Sequence, residues 1–451
     1  MKLQNTARPP ARGKITGLLK YATKVCGVGQ MLKRTERKAP GKSYAASSGL
    51  EVCLVGLMTG ATSARQIEER GQTLRSKDGG LRSPSRNTIG GLLNETRTSE
   101  AVRDAVEGLL DVIRNLRIDR RKRFGGMRAA ALDGIDLGEI DHGDKPCPHC
   151  LRRETKIKDP RTGAERVEVS HYHFKVVLDL LTKAGPIPIG YELARTDEVD
   201  ARSTSAEQTK QDCEAKIAKR LLGRIAEKHR GRLPFELLFT DALHGNAPFM
   251  EMVESLGCVA VSVLKDERRS LWQEADAEFE FGLNPGIKET SWKKRGPDGR
   301  KRSFDAESII LEDGNRQGAN KEVTITRITR SEADGQEAVN TFISTSSKAL
   351  TPKVIEALRF AKWGELENRT FNTLTNGFGI LKHLFFHREN ALTSVLGLGL
   401  LVLAITNLYR LRNLRRGGRR AAGTLKQFLE RMYADLSVKG QWRRPIWSMG
   451  P

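Results

Sequence analysis

At 451 residues the chain is longer than a single hydrophobic core usually organises, so two or three domains of ~150 residues are expected. A hydrophobic share of 38% beside a charged share of 29% excludes wholesale disorder, and six scattered cysteines exclude a disulfide scaffold. The 77 Lys and Arg against 55 Asp and Glu leave a net charge of +22, a field that favours a polyanionic partner, with nucleic acid ahead of an acidic membrane or protein.

Residues 1–45 contain many basic residues, one acid (Glu36) and the breakers ARPPARGK and APGK, and read as a flexible basic arm. This N-terminus has no apolar run of the kind a secretory signal needs, which predicts a cytoplasmic protein. From 46 to 125, GLEVCLVGLMTGA, SARQIEER, SPSRNTIGGLLNE and EAVRDAVEGLLDVIRNL predict several short helices, compatible with a helix-turn-helix-like DNA-binding bundle.

The character changes over 126–265. Buried strands are predicted at 129–137 (AAALDGIDL), 171–182 (HYHFKVVLDLLT) and 187–194 (IPIGYELA), then a long amphipathic helix from Ala206 to His229. Next come a strand at 235–241, a helix around Ala247–Leu256 and a strand at 258–265. The order implies an α/β fold with a mixed sheet flanked by helices.

Residues 266–350 turn polar, with alternating runs between turn signals, and predict a β-rich insertion. Helical text resumes over 351–408, and 409–451 forms a basic tail with one short amphipathic helix. Within it, Ala391–Leu408 is nearly uncharged but only as long as the shortest membrane spans; a buried core helix is the favoured reading.

Three acids stand out. Asp133 lies inside an apolar strand, where a charge needs a metal or a partner. Asp241 closes the strand FELLFTD, where α/β sites and helix caps both collect. Glu367 falls on an α-helical stripe with Trp363, Phe371, Leu374 and Phe378, whereas Glu365 falls on the polar face with Asn368 and Arg369.

ALDG, FTDALHGNAPFMEMVESLGCVAVSVLK and KWGELENRTFNTL followed by KHLFFH resemble the DDE transposases of bacterial insertion sequences. The similarity spans roughly Arg128 to Arg416 and is nearest to the group with β-strands inserted before the Glu. It implies an RNase H-like catalytic fold in which Asp133, Asp241 and Glu367 hold two Mg²⁺ ions for DNA strand cleavage and strand transfer. It also implies double-stranded DNA as partner (terminal inverted repeats and target), a homodimer in the active complex, no membrane association and a place on the bacterial nucleoid. A catalytically inactive, transposase-derived DNA-binding protein is the alternative.

The basic residues near the Glu depart from the family pattern. Lys362 stands one place too early and Thr375 stands where a Lys is usual, leaving Lys362, Arg369 and Lys382 as candidate phosphate contacts. Cys147 and Cys150, with His171 and His173 on one strand face, could meet a structural Zn²⁺, although H-x-H is not the usual spacing. Similar transposases carry a Cys-x-x-Cys hairpin in this region. Trp272 and Trp292 in the insertion are candidate base-stacking groups.

Overall fold

The computed structural model describes residues 15–38, 40–75, 83–119, 121–139, 150–158, 163–195, 213–265, 269–282, 285–295, 299–317, 321–332, 334–345, 350–380, 386, 389–413 and 424–439. Its architecture is mixed α/β: an N-terminal helical stretch, then a large mixed sheet flanked by helices.

Seven helices come first: α1 (Ile15–Lys24), α2 (Val28–Arg34), α3 (Ala46–Met58), α4 (Ala64–Arg75), α5 (Arg86–Leu93), α6 (Thr96–Glu107) and α7 (Leu109–Leu116). Residues 15–34 therefore correct the expectation of a flexible arm. Ile15, Leu18, Leu19 and Ala22 repeat at helical spacing and are buried, a stripe outweighed in composition by the surrounding Lys and Arg.

The sheet strands are β1 (Ala129–Glu139), β2 (Cys150–Lys158), β3 (Glu165–Thr182), β4 (Gly185–Leu193), β5 (Leu237–Thr240), β6 (Val259–Val263), β7 (Lys288–Arg295), β8 (Lys301–Glu312), β9 (Glu322–Glu332) and β10 (Glu337–Thr345). They pair in the order β2-β3-β1-β5-β6-β10-β9-β8-β7, and β4 joins the second half of β3. β1 is antiparallel to β3 and parallel to β5, which is parallel to β6. Helices α8 (Glu214–Lys228) and α9 (Ala247–Ser255) provide the crossovers that parallel strands require. The inserted strands β7–β10 extend this same sheet, because β10 pairs antiparallel with β6. Helix α10 (Ser270–Phe281) precedes them.

After α11 (Pro352–Ala361) the chain runs as π-helix over Lys362–Phe371 and again over Thr373–Gly377. The wider turn corrects the α-helical stripe. Leu366, Leu374 and Phe378 are buried, whereas Trp363, placed on that stripe by α-periodicity, is 58% exposed.

Helix α12 (Glu389–Asn413) is the one described helix long and apolar enough to cross a membrane, and 94% of its most apolar window is buried inside the protein. It packs on α3, α5, α6 and β4, so the N-terminal helices and the sheet share one core. Gly397 permits this closeness: a Cβ there would overlap Tyr191 Oη and Val102. Tyr191 Oη donates to the Thr393 carbonyl (2.9 Å), fixing α12 on β4. Helix α13 (Leu425–Lys439) buries Phe428, Leu429, Met432 and Leu436.

Candidate metal centre

The site lies where β1 and β5 run parallel. Ala131 pairs with Phe239, and two residues further along the same register stand Asp133 and Asp241. Glu367 arrives from the other end of the chain on the π-helical stretch. Lys362 joins these segments: its Nζ donates to Asp133 Oδ2 (2.9 Å) and to Glu367 Oε1 (3.1 Å). π-Helical geometry aligns residues i and i+5, which brings Lys362 onto Glu367. Lys362, a candidate phosphate contact by sequence, faces carboxylates here.

Asp241 caps the short helical turn Ala242–His244, its Oδ1 accepting from Leu243 N–H (3.1 Å) and from His244 Nδ1 (2.9 Å). A carboxylate only accepts, so the proton sits on Nδ1, leaving Nε2 of the fully buried His244 without a hydrogen-bond partner. Facing it, 3.9 Å away, is Glu214 Oε1, the first residue of α8 and also without a hydrogen-bond partner. Gly134 makes room for it: a Cβ there would stand 2.6 Å from Glu214 Cδ. Glu214, Asp241 and His244 each bring a ligand atom within 4.8 Å of the others, a cluster able to coordinate a metal ion. A histidine donating through one ring nitrogen to a carboxylate, with the other nitrogen bare, has the usual form of a metal ligand.

The electrostatics follow from burial and crowding. Burial pushes the Glu214 carboxyl up to about 7, with Asp241 and Asp133 adding to the rise against His244 and Lys362. Burial also raises Asp133 against the pull of Lys362. Asp241 is burdened by burial but held below the ordinary aspartate range by the His244 hydrogen bond, with Lys362 and the Leu243 N–H adding to the fall. Lys362 loses by burial, yet Asp133 and Glu367 hold it above the ordinary lysine range.

A cavity of about 850 Å³ opens between α11 and strands β7–β9. Arg123, Lys294, Arg295, Arg302, Arg330 and Arg359 line it against two acids, Glu332 and Glu356, with Phe304, Phe360 and Trp363 among its walls.

Sequence reasoning singled out Asp133, Asp241 and Glu367, and the structure brings them into one electrostatic neighbourhood. It missed Glu214 and His244. The histidine three residues after Asp241, on a Gly- and Asn-bounded turn, was the available signal.

Arg369 is exposed and lies beside Gly185. Lys382, Cys147 and the side chain of Glu365 lie outside the described residues. Cys150 and His173 face each other across β2 and β3, Sγ to Nε2 3.4 Å, both buried, and half-buried His171 stands opposite Arg152. Trp292 is stacked on Phe304 (5.0 Å between centroids) and Trp272 packs against the core. No family model matches the chain, and no curated protein matches it.

Proposed function

We propose that the protein is a metal-dependent polynucleotidyl transferase of the RNase H-like class, a DDE-type transposase that cleaves and rejoins DNA strands at the ends of an insertion sequence. The observation that carries this reading is the meeting of Asp133, Asp241 and Glu367, acids from three distant segments, where the parallel pairing of β1 with β5 ends, with Lys362 bridging the first and last. The strand order β4-β3-β1-β5-β6, antiparallel on one side of β1 and parallel on the other, supports the same class.

Glu214 and His244, with Asp241 behind the imidazole and Asp133 beside them, would hold a divalent ion of the Mg²⁺ or Mn²⁺ class. When bound, such an ion supplies Lewis-acid stabilisation of charge on the phosphoryl oxygens. The protein's own groups do the rest. His244 is oriented by Asp241, and Lys362 keeps Asp133 and Glu367 together. The cations that line the cavity hold the phosphate backbone, and Trp363 offers a face for a base. DNA is favoured as the polyanion by the net charge of +22 and by the six basic side chains that line that cavity.

The test is cleavage of an end-labelled duplex carrying the element's terminal repeat, in Mg²⁺ or Mn²⁺. Wild-type protein is expected to nick or cut it. Asp133→Ala, Asp241→Ala and Glu367→Ala are each expected to lose at least ~100-fold while still shifting the duplex in a gel. Duplex binding without wild-type cleavage would instead mark a DNA-binding protein that has lost catalysis.

A further inference from the structure

Resting on that reading, we infer that Lys362 fills one of the two cation positions of the acidic cluster, so that the site takes a single divalent ion, between Glu214 and His244 Nε2, with Asp241 orienting the imidazole.

The acids divide into two groups with different partners. Asp133 and Glu367 share an ammonium: Lys362 Nζ is 2.9 Å from one and 3.1 Å from the other, and its side chain is only 8% exposed. A Mg²⁺ or Mn²⁺ between the same two oxygens would need each at about 2.1 Å, inside the volume the ammonium occupies, and would meet a like charge there. The lysine is not a loose surface group that drifts into the gap. Its position is set by the π-helical register that stacks residue 362 on residue 367, and its stem is buried.

Among the described residues, no lysine or arginine bonds to the second group. Glu214 Oε1 and His244 Nε2 face each other at 3.9 Å, and neither has a hydrogen-bond partner. The imidazole is fully buried and its other nitrogen is committed to Asp241. A buried nitrogen lone pair facing a buried carboxylate oxygen is costly, and one cation that accepts both removes the cost. A nitrogen in the ligand set also favours Mn²⁺ over Mg²⁺, in line with the preference of imidazole for transition metals. Lys362 is in these terms a positioning residue: it fixes Asp133 and Glu367 with a charge that cannot dissociate into solvent.

The test counts ions. Purified full-length protein is titrated with MnCl₂, free Mn²⁺ is read by electron paramagnetic resonance, and folding of each variant is checked by its thermal melt. Wild type is expected to bind one Mn²⁺ per chain, Lys362→Met two, and His244→Ala to hold the single ion at least ~10-fold more weakly. If Lys362→Met does not fold, Glu367→Gln decides: one ion with affinity within about threefold of wild type is expected, because this acid belongs to the lysine. Two ions of similar affinity in wild type, a single ion in folded Lys362→Met, or loss of the ion in Glu367→Gln would each overturn the inference while leaving the metal centre standing. No bound ion in wild type would remove the metal centre itself.

Discussion

Two clusters of buried charge lie within this fold, and they are built on opposite principles. Between α6, β4 and α8, Glu107 accepts from Arg224 (3.0 Å) and Lys228, Glu192 from Arg224 and Arg195 (2.8 Å), and Asp104 from Lys228 (2.6 Å) and Arg34 (2.7 Å). Burial works against Glu192, yet Arg224 holds it below the ordinary glutamate range, and Lys228 and Arg34 do the same for Asp104 against the burial that raises it. At the candidate metal centre, burial and neighbouring acids drive Asp133 and Glu214 the other way. Glu192, as far removed from water as Asp133 and Glu214, thus shifts in the opposite direction because Arg224 completes its surroundings. The completed cluster fastens the N-terminal helices to the sheet. The incomplete one is the cluster able to coordinate a metal ion.

The comparison breaks first at Arg224. Arg224→Met strips Glu107 and Glu192 of a shared partner in a largely buried setting and is expected to cost ~3–5 kcal/mol in urea unfolding. A neutral result would mean that the interface cluster is no more structural than the site. Removing residues 1–125 is a poorer probe of DNA-end recognition than point variants, since α12 would lose the helices that cover it.

A smaller effect is expected at Lys175. It is fully buried on β3, and burial lowers it to about 7, with Asp179 opposing. The folded value lies below that of an unfolded lysine, so stability should rise as pH climbs from about 7 to about 10.5. Lys175→Met should remove that slope and add on the order of 2 kcal/mol at neutral pH, read from melts across the range. Persistence of the slope in the variant would show that Lys175 is not its source. Because Thr370, on the stretch that carries Glu367, donates to Asp179 (2.7 Å), this core polar group also backs the site.

Glu214 titrates in the reverse sense. Its folded value of about 7 exceeds the ordinary 4.5, so its carboxylate destabilises the ion-free fold progressively as pH rises through that window. Glu214→Gln should stabilise ion-free protein above pH 7 by on the order of 1 kcal/mol after solvent screening, and should bind Mn²⁺ roughly 10-fold more weakly. Equal stability and equal affinity would place Glu214 with the completed charges. The smallest effect belongs to Lys294, which burial and the charges of Arg123 and Arg302 hold below the usual lysine range. Lys294→Gln should lower the salt dependence of duplex binding by about one unit of log–log slope, and an unchanged slope would take it out of the DNA path.

How far this site could be read from the sequence depends on which forces set each residue. Asp133 was legible because a charge interrupts AAAL, and Asp241 because it ends FELLFT. Glu214 looks like any first-turn acid of a charged helix, and only the bare Gly134 backbone on another strand gives it a place among the other acids. His244 follows Asp241 too closely to register as a separate signal. Helices α1 and α2 were hidden by the basic composition around their apolar stripe, and Trp363 was assigned to the wrong face because π-helical turns are invisible to 3.6-residue counting. The order of strands and crossovers, set by alternation and turn residues, was legible over 129–265 except for β2 (Cys150–Lys158), whose charged text LRRETKIK shows no apolar alternation.

The most direct test of the metal centre is anomalous diffraction from crystals soaked in Mn²⁺. A single peak between the Glu214 carboxylate and His244 Nε2, with Asp241 still bonded to Nδ1 and Lys362 still bonded to Asp133 and Glu367, is the predicted result. A map with no peak at that position, or with manganese only beside Cys150 and His173, would contradict it.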